Sequence, residues 1–141
     1  MTAMMIRGYL EAELRRLGFP YTLENGYMLL TAGLAGRRWK MAIACGENRV
    51  MYYAAYPRQV PRERRAACLD CLNNLNAALS FGGFFLLDTG PHCLIVFRGD
   101  VLIADEYSVA ECLESGFKHT TAAFYARWET MDTLCGVRFG T

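Results

Sequence analysis

Residues 62 to 97 read RERRAACLDCLNNLNAALSFGGFFLLDTGPHCLIVF, and this segment decides the fold. Its first half places apolar residues at helical spacing and ends at Gly82-Gly83, a pair typical of a helix C-terminus. Two apolar segments follow, joined by Asp88-Thr89-Gly90-Pro91, which favours a tight turn between two strands. A helix that leads directly into a β-hairpin indicates an α+β protein. The segment contains no catalytic constellation.

The whole chain has the composition of one folded domain. Its length of 141 residues is the common size of a single domain, and 53% apolar against 21% charged residues is typical of a chain with a packed core. We predict a single α+β domain spanning residues 1–141.

The net charge and the cysteine content limit the classes of partner and the cellular compartment that we expect for the protein. The formal net charge of +1 provides no long-range attraction for nucleic acid, so we expect no nucleic-acid partner. The longest apolar run, residues 50–56, is far shorter than the roughly 18 residues that a membrane-spanning helix needs, and we expect no membrane partner. The six cysteines follow an N-terminus without the apolar core of a signal peptide, which predicts reduced thiols in a cytoplasmic protein.

Upstream of the deciding segment, the pattern predicts one helix and three strands. Residues 2–17 have an amphipathic helical pattern that ends at Gly18 and Pro20. Three short apolar segments follow at 27–34, 39–45 and 50–56, separated by glycine-containing turns, so we predict an antiparallel meander. Pro57 and Pro61 predict a loop, after which the second helix runs to about Leu79.

Downstream, two strands and a long helix are predicted. The strands are 84–88 and 92–97, and Gly99-Asp100 is either a bulge or a second turn before residues 101–104. Ser108 and Glu111 have the spacing of a capping box at the start of a helix of about 25 residues. Gly116 is a candidate kink in that helix.

The predicted order is α-β-β-β-α-β-β-α, a five-stranded antiparallel sheet with three helices on one side. In the last two strands both alternating sets of side chains are apolar, so helices on one side leave an apolar face uncovered. We expect a protein partner of unknown identity to cover it, most simply a second copy in a homodimer. The alternative is that the first and last helices cover opposite faces of one monomer.

The segment LNNLNAALSFGGFFLLDTGPHCLIVF, followed by a capped C-terminal helix with an aromatic inner stripe, resembles the YbjN-like family of candidate sensory-transduction regulators, which is similar in fold to type III secretion chaperones. The resemblance is best over residues 62 to 135. It implies a bacterial α+β module, often dimeric, that binds or regulates other proteins and has no assigned chemistry. The chain departs from the family in its many cysteines and in Gly99-Asp100.

Cysteine and histidine provide no convincing reactive site. Cys68 and Cys71 have the spacing of a metal or redox pair, but both lie on the apolar stripe of the second helix and no further ligand pair occurs, so we interpret them as core thiols. His92 and Cys93 are neighbours on a strand and face opposite ways, and His119 lies on the polar side of a helix. We expect no catalytic residue, no metal and no cofactor.

Arginines near the N-terminus of the second helix and asparagines within it are both unfavourable for helix stability, so we look for another role for each group. Arg58, Arg62, Arg64 and Arg65 lie near its N-terminus, where the helix dipole disfavours cations, so they either bind an anionic partner or form a solvated face. Among Asn73, Asn74 and Asn76, which are poor helix formers, we expect one to bond to backbone at the helix-to-strand junction.

The sequence therefore predicts a non-enzymatic protein-binding module, chaperone-like or regulatory, that uses an apolar sheet face and a helix groove. The alternatives are a small-ligand or phosphate sensor that uses the arginine cluster, or an enzyme of unrecognised type. The predicted partner-binding residues are Phe85, Leu87, Ile95, Phe97, Arg62, Arg64 and Arg65.

Overall fold

A computed structural model describes residues 1–136 of the chain. The elements follow in the order α1 (Ala3–Leu17), β1 (Thr22–Glu24), β2 (Tyr27–Leu34), β3 (Arg37–Gly46), β4 (Arg49–Pro61), a 3₁₀ turn (Arg62–Arg64), α2 (Arg65–Ala78), β5 (Gly83–Asp88), β6 (His92–Leu102), α3 (Val109–Tyr125) and α4 (Trp128–Leu134).

The strands form one antiparallel sheet in the order β1-β2-β3-β4-β6-β5. The α+β class and the antiparallel sheet are as predicted, but within residues 1–136 the sheet has six strands instead of five, and four helices replace three. The additional strand is β1, which the turn Asn25-Gly26 joins to β2 with both residues at positive φ. Asn-Gly is a strong hairpin signal that the sequence interpretation did not use.

All four helices lie on one face of the sheet. Side chains of α1, α2, α3 and α4 join the inward-facing residues of β2 to β6 in a single buried cluster. Helices α1 and α3 also contact each other, so the alternative in which they cover opposite faces is wrong.

Strand β4 continues through the segment that was predicted as a loop between Pro57 and Pro61. Pairing with β3 ends at Ala55, and beyond it β4 pairs only with β6, after a register shift between Ala55 and Gln59. Pro57 lies within this irregular stretch, where a missing N–H removes no regular ladder bond.

Strand β6 also differs from its prediction. It runs without interruption through Gly99 and Asp100, which pair in register with Tyr52 and Met51 of β4, so the pair is neither a bulge nor a turn. A Cβ at Gly99 would lie 2.5 Å from the Thr120 hydroxyl oxygen, so the close approach of α3 explains this glycine.

The C-terminal helix is capped and divided differently from the prediction. Ser108 forms no side-chain cap; Asp105 Oδ1 instead accepts bonds from the N–H groups of Tyr107 and Ser108, at 2.9 and 3.0 Å. The helix is continuous through Gly116 and breaks only after Tyr125. Trp128, at the start of α4, then packs on Trp39 and Tyr56 at ring-centroid distances of 5.8 and 5.0 Å.

Candidate functional site

The face of the sheet opposite the helices has no covering element among residues 1–136. We call it the uncovered face. Strand alternation and register assign to it an outward set that includes Thr22, Glu24, Tyr27, Leu29, Thr31, Arg38, Lys40, Ala42, Ala44, Arg49, Met51, Tyr53, Ala55, Gln59, Phe85, Leu87, Leu94, Val96, Arg98, Asp100 and Leu102.

A concave groove of about 810 Å³ runs over the centre of the uncovered face. Its floor is formed where β3 and β4 carry small side chains, Ala42 and Ala55. One wall comes from the β1–β2 side and includes Tyr27, and the opposite wall comes from β5 and β6 and includes Phe85 and Leu87. The groove therefore results from a small-residue centre between larger side chains on the outer strands.

The groove is largely apolar, and the large side chains of its walls include accessible ones. Phe85 and Leu87 are 37% and 49% exposed, and Tyr27 is 40% exposed. Tyr27 and Tyr53 pack edge to face with centroids 6.2 Å apart, which holds the two rings in a defined orientation. A contiguous exposed apolar surface of this kind is typical of a binding site for another molecule.

Lys40 lines the groove, and Arg38, Arg49 and Arg98 lie elsewhere on the uncovered face. Arg98 forms an ion pair with Asp100 at 2.9 and 3.1 Å and lies over the Tyr53 ring. Lys40 donates a bond to the Thr31 hydroxyl at 3.3 Å. Within residues 1–136, Arg38, Lys40 and Arg49 form no ion pair.

The four apolar residues predicted as one partner-binding surface lie on two faces. Phe85 pairs with Val96 and Leu87 with Leu94 on the uncovered face, whereas Phe97 pairs with Phe84, and Ile95 with Leu86, on the helix-covered face. Ile95 and Phe97 are fully buried, so the prediction that they share an exposed surface with Phe85 and Leu87 is wrong. Alternation within each strand correctly separates its side chains into two faces. Only the register between β5 and β6 shows which face of β5 is continuous with which face of β6.

Three arginines of the predicted cluster, Arg62, Arg64 and Arg65, form hydrogen bonds with other groups of the protein. Arg62 donates to the Gly90 carbonyl in the β5–β6 turn, and Arg64 donates to the Thr133 carbonyl near the end of α4, at 3.3 Å. Arg65 forms two parallel bonds with Asp88 at 3.0 and 3.2 Å. Hydrogen bonding to Arg65 and to the Cys93 thiol lowers the pKa of Asp88. These side chains tie α2 and α4 to the hairpin turn and to β5.

Cys68 and Cys93 are buried, whereas Cys71 and the other three cysteines are half-buried. Cys68 is buried on α2, and burial raises its pKa to about 11. Burial also raises the pKa of Cys45 to about 11 and that of Cys135 to about 12. Thiols with such pKa values are protonated at neutral pH and are poor nucleophiles. No group of three potential metal ligands occurs within residues 1–136.

Asn76 has the junction role expected for one of the three asparagines. Its Nδ2 donates to the Phe84 carbonyl at 2.8 Å, and its Oδ1 accepts from the Phe84 N–H at 2.7 Å. The amide therefore mimics a neighbouring strand at the outer edge of β5, and this prediction is confirmed. His92 and His119 are both exposed.

A smaller groove of about 270 Å³ lies between α1 and α3. Its apolar lining includes Leu14, Phe19 and Phe117, and the two phenylalanine rings lie 5.5 Å apart. Glu13, Glu114 and Lys118 also line it. This is the helix groove of the sequence prediction, and it is much smaller than the groove on the sheet.

The sequence interpretation missed most of the uncovered face, including Tyr27, Leu29, Lys40, Ala42 and Tyr53. The signal was present in β2, where Met28 and Leu30 alternate with Tyr27, Leu29 and Thr31. Because both sets contain large apolar residues, neither was recognised as the exposed one. No helix within residues 1–136 is both long and apolar enough to cross a membrane.

No protein-family model matches the sequence, and no curated protein matches it. The fold is that of a solved structure, YbjN, a candidate transcription regulator from E. coli. The two agree with a TM-score of 0.71 over 89% of this chain and 91% of that chain, at 14% sequence identity. The chain is therefore YbjN-like in fold, as the resemblance of residues 62 to 135 predicted. At this identity the similarity concerns the fold alone.

Proposed function

We propose that the chain is a non-enzymatic protein-binding module, regulatory or chaperone-like, and that the uncovered face is its binding surface. The groove of about 810 Å³ between exposed Phe85, Leu87 and Tyr27 is the observation that carries the proposal. Closing such a groove with a partner would remove apolar area from water, the main favourable term in most protein association. Such binding needs shape and apolar surface and no reactive group.

The dimensions of the sheet suit an ordinary interface. Six strands at about 4.8 Å spacing give a width of roughly 29 Å, and strands of about eight residues give a length of roughly 27 Å. The resulting area of roughly 780 Å² is close to the roughly 800 Å² that each partner contributes to a stable complex.

The β5 edge of the sheet is less suited to binding than the uncovered face. Asn76 occupies the outward backbone groups of Phe84, and Arg65 holds Asp88 at the other end of β5. A partner strand could reach only the backbone around Leu86, so strand addition at this edge is obstructed.

The fold similarity to a candidate regulator supports the same class of function. The homodimer, the cytoplasmic location and the relation to type III secretion chaperones stay predictions. The alternative of a phosphate or small-ligand sensor on the arginine cluster would require Arg62, Arg64 and Arg65 to leave their present partners.

The proposal is tested by removing apolar surface from the groove without adding charge. In a Phe85→Gln/Leu87→Gln variant we expect partner binding to weaken about 30-fold, because each half-exposed side chain contributes about 1 kcal/mol when its burial is completed. Affinity purification from the native host, quantified by mass spectrometry, would identify proteins retained by the wild type and lost from the variant.

The matched control is Met4→Gln/Met5→Gln. Met4 and Met5 are 84% and 47% exposed on α1, away from the uncovered face, so the control removes at least as much exposed apolar surface. Circular dichroism establishes that both variants fold. Partners that are retained equally by all three proteins would contradict the proposal.

A further inference from the structure

The charges of the uncovered face are unbalanced. The residues that the register assigns to it include four cations, Arg38, Lys40, Arg49 and Arg98, and two anions, Glu24 and Asp100. The net charge of this face is therefore 4 − 2 = +2, whereas the entire chain has a net charge of +1. The positive charge of the molecule is concentrated on the face that contains the groove.

Cations lie near both ends of β3, the strand that contributes Lys40 and Ala42 to the groove. Arg38 and Lys40 lie near the start of β3, where the β2–β3 hairpin turns. Arg49 pairs with Gly46 at the opposite end of β3, and Arg98 lies across the sheet beside Tyr53. An apolar groove that is lined by Lys40, with Arg38 and Arg49 near the two ends of β3, is complementary to an apolar segment that carries acidic residues.

The uncovered face has room for a helix that lies along β3 with its middle in the groove. Its floor strands lie between β2 and β6, three strand spacings or about 14 Å apart, and a helix with side chains is about 10–12 Å wide. The length of β3 from Arg38 to Gly46 is about 27 Å at 3.4 Å per residue, which equals the length of a helix of about 18 residues.

We propose that the uncovered face binds an acidic amphipathic helix of a partner protein, with the helix's apolar stripe over Ala42 and Ala55 and its carboxylates near Arg38, Lys40 and Arg49. This proposal rests on the proposed function and names the chemistry of the partner. A second copy fits the face less well, because face-to-face pairing would bring two surfaces of net charge +2 together.

The test uses two synthetic helical peptides of about 18 residues, the helix length given above. Both have the same leucine stripe; one carries glutamates beside the stripe and the other carries lysines at the same positions. Fluorescence anisotropy measures their affinities for the full chain at low and at high ionic strength. We expect the acidic peptide to bind at least tenfold more tightly than the basic one, and the difference to shrink as salt screens the charges.

Variants of the chain test whether the preference for the acidic peptide depends on the uncovered face. Arg38→Glu/Lys40→Glu should invert the preference between the two peptides, and Phe85→Gln/Leu87→Gln should weaken both. Arg15→Glu, a charge reversal at an exposed position of α1, should change neither affinity. Since Arg38 and Lys40 are exposed and form no ion pair within residues 1–136, their reversal should leave thermal unfolding unchanged.

Equal affinities, or a preference for the basic peptide, would overturn the acidic-helix proposal. So would a dimer that excludes the acidic peptide, or binding of the face to anionic phospholipid vesicles in place of peptide. If neither peptide binds while native partners still depend on Phe85 and Leu87, the acidic helix is wrong and the protein-binding function stands. If the Phe85→Gln/Leu87→Gln variant retains native partners as well as the wild type does, the proposed function itself is wrong.

Discussion

At the scale of single residues, Gly116 determines how closely α3 approaches the sheet. A Cβ at this position would lie 2.5 Å from Tyr52 Cε2 and 2.5 Å from Val101 Cγ2. One turn earlier, the Leu113 carbonyl accepts a bond from the Tyr52 hydroxyl at 2.9 Å. The glycine that the sequence suggested as a kink is therefore a packing contact inside a continuous helix, and any larger residue must displace α3 from β4 and β6.

Gly116→Ala should lower the free energy of unfolding by about 1–3 kcal/mol, because the new methyl group overpacks a closed contact. Urea denaturation measures the change. The matched control is Gly8→Ala in α1, where a Cβ meets no atom within 4 Å. That substitution should stabilise the protein by about 0.5–1 kcal/mol through helix propensity. Stabilisation by both substitutions would contradict the close packing of α3.

At the scale of elements, α2 protects the edge strand β5. Strand β5 reads GFFLLD, an apolar edge of the kind that pairs with other chains. The Asn76 amide satisfies both outward backbone groups of Phe84, and Arg65 binds Asp88 at the other end. The helix and the strand are thereby joined by side-chain bonds, which explains why a poor helix former is located in the last turn of α2.

Asn76→Ala should destabilise the protein by about 1–3 kcal/mol, because it leaves the Phe84 N–H and carbonyl without their partner. It should also increase aggregation, since the edge of β5 becomes open to other strands. Chemical denaturation and light scattering measure the two effects. The control Asn74→Ala changes an exposed asparagine two residues away in the same helix and should raise stability by a few tenths of a kcal/mol. Equal effects at both positions would mean that the Asn76 bonds contribute nothing.

At the scale of the whole molecule, the one-sided packing of the helices leaves an apolar and positively charged surface. Every helix contributes to the buried cluster on one face, and the opposite face keeps exposed Tyr27, Phe85 and Leu87. Such a surface favours association through its apolar part and opposes self-association through its charge. Because salt weakens the charge repulsion and not the apolar attraction, measurements at different ionic strengths distinguish the two effects.

We expect two copies to associate more strongly as salt concentration rises, because salt screens the repulsion between like-charged faces and leaves the apolar attraction. Sedimentation equilibrium at low and high ionic strength measures this. The Phe85→Gln/Leu87→Gln variant should remove the salt-dependent association, whereas Met4→Gln/Met5→Gln should retain it. A dimer that weakens with salt, or that persists in the groove variant, would place the homodimer contact on another surface.

Local patterns in the sequence determined much of the molecule. The amphipathic spacing in α1, the hairpin turn after Asp88 and the α+β order are all present in the linear pattern, because each depends on contacts between near neighbours in the chain. The role of Asn76 was also predictable, since a poor helix former before a strand needs a local bond. The short strand β1 was missed although its Asn25-Gly26 turn is a local signal.

Only the tertiary structure decided which face of the sheet is uncovered. In β6 both alternating sets are apolar, so the assignment of Ile95 and Phe97 to the core depends on the register with β4 and β5. The break between α3 and α4 likewise contains no glycine or proline that would predict it from the sequence. It coincides with the packing of Trp128 on Trp39 and Tyr56. Periodicity is a property of one segment, whereas the choice of the buried face is made by the elements that pack against it.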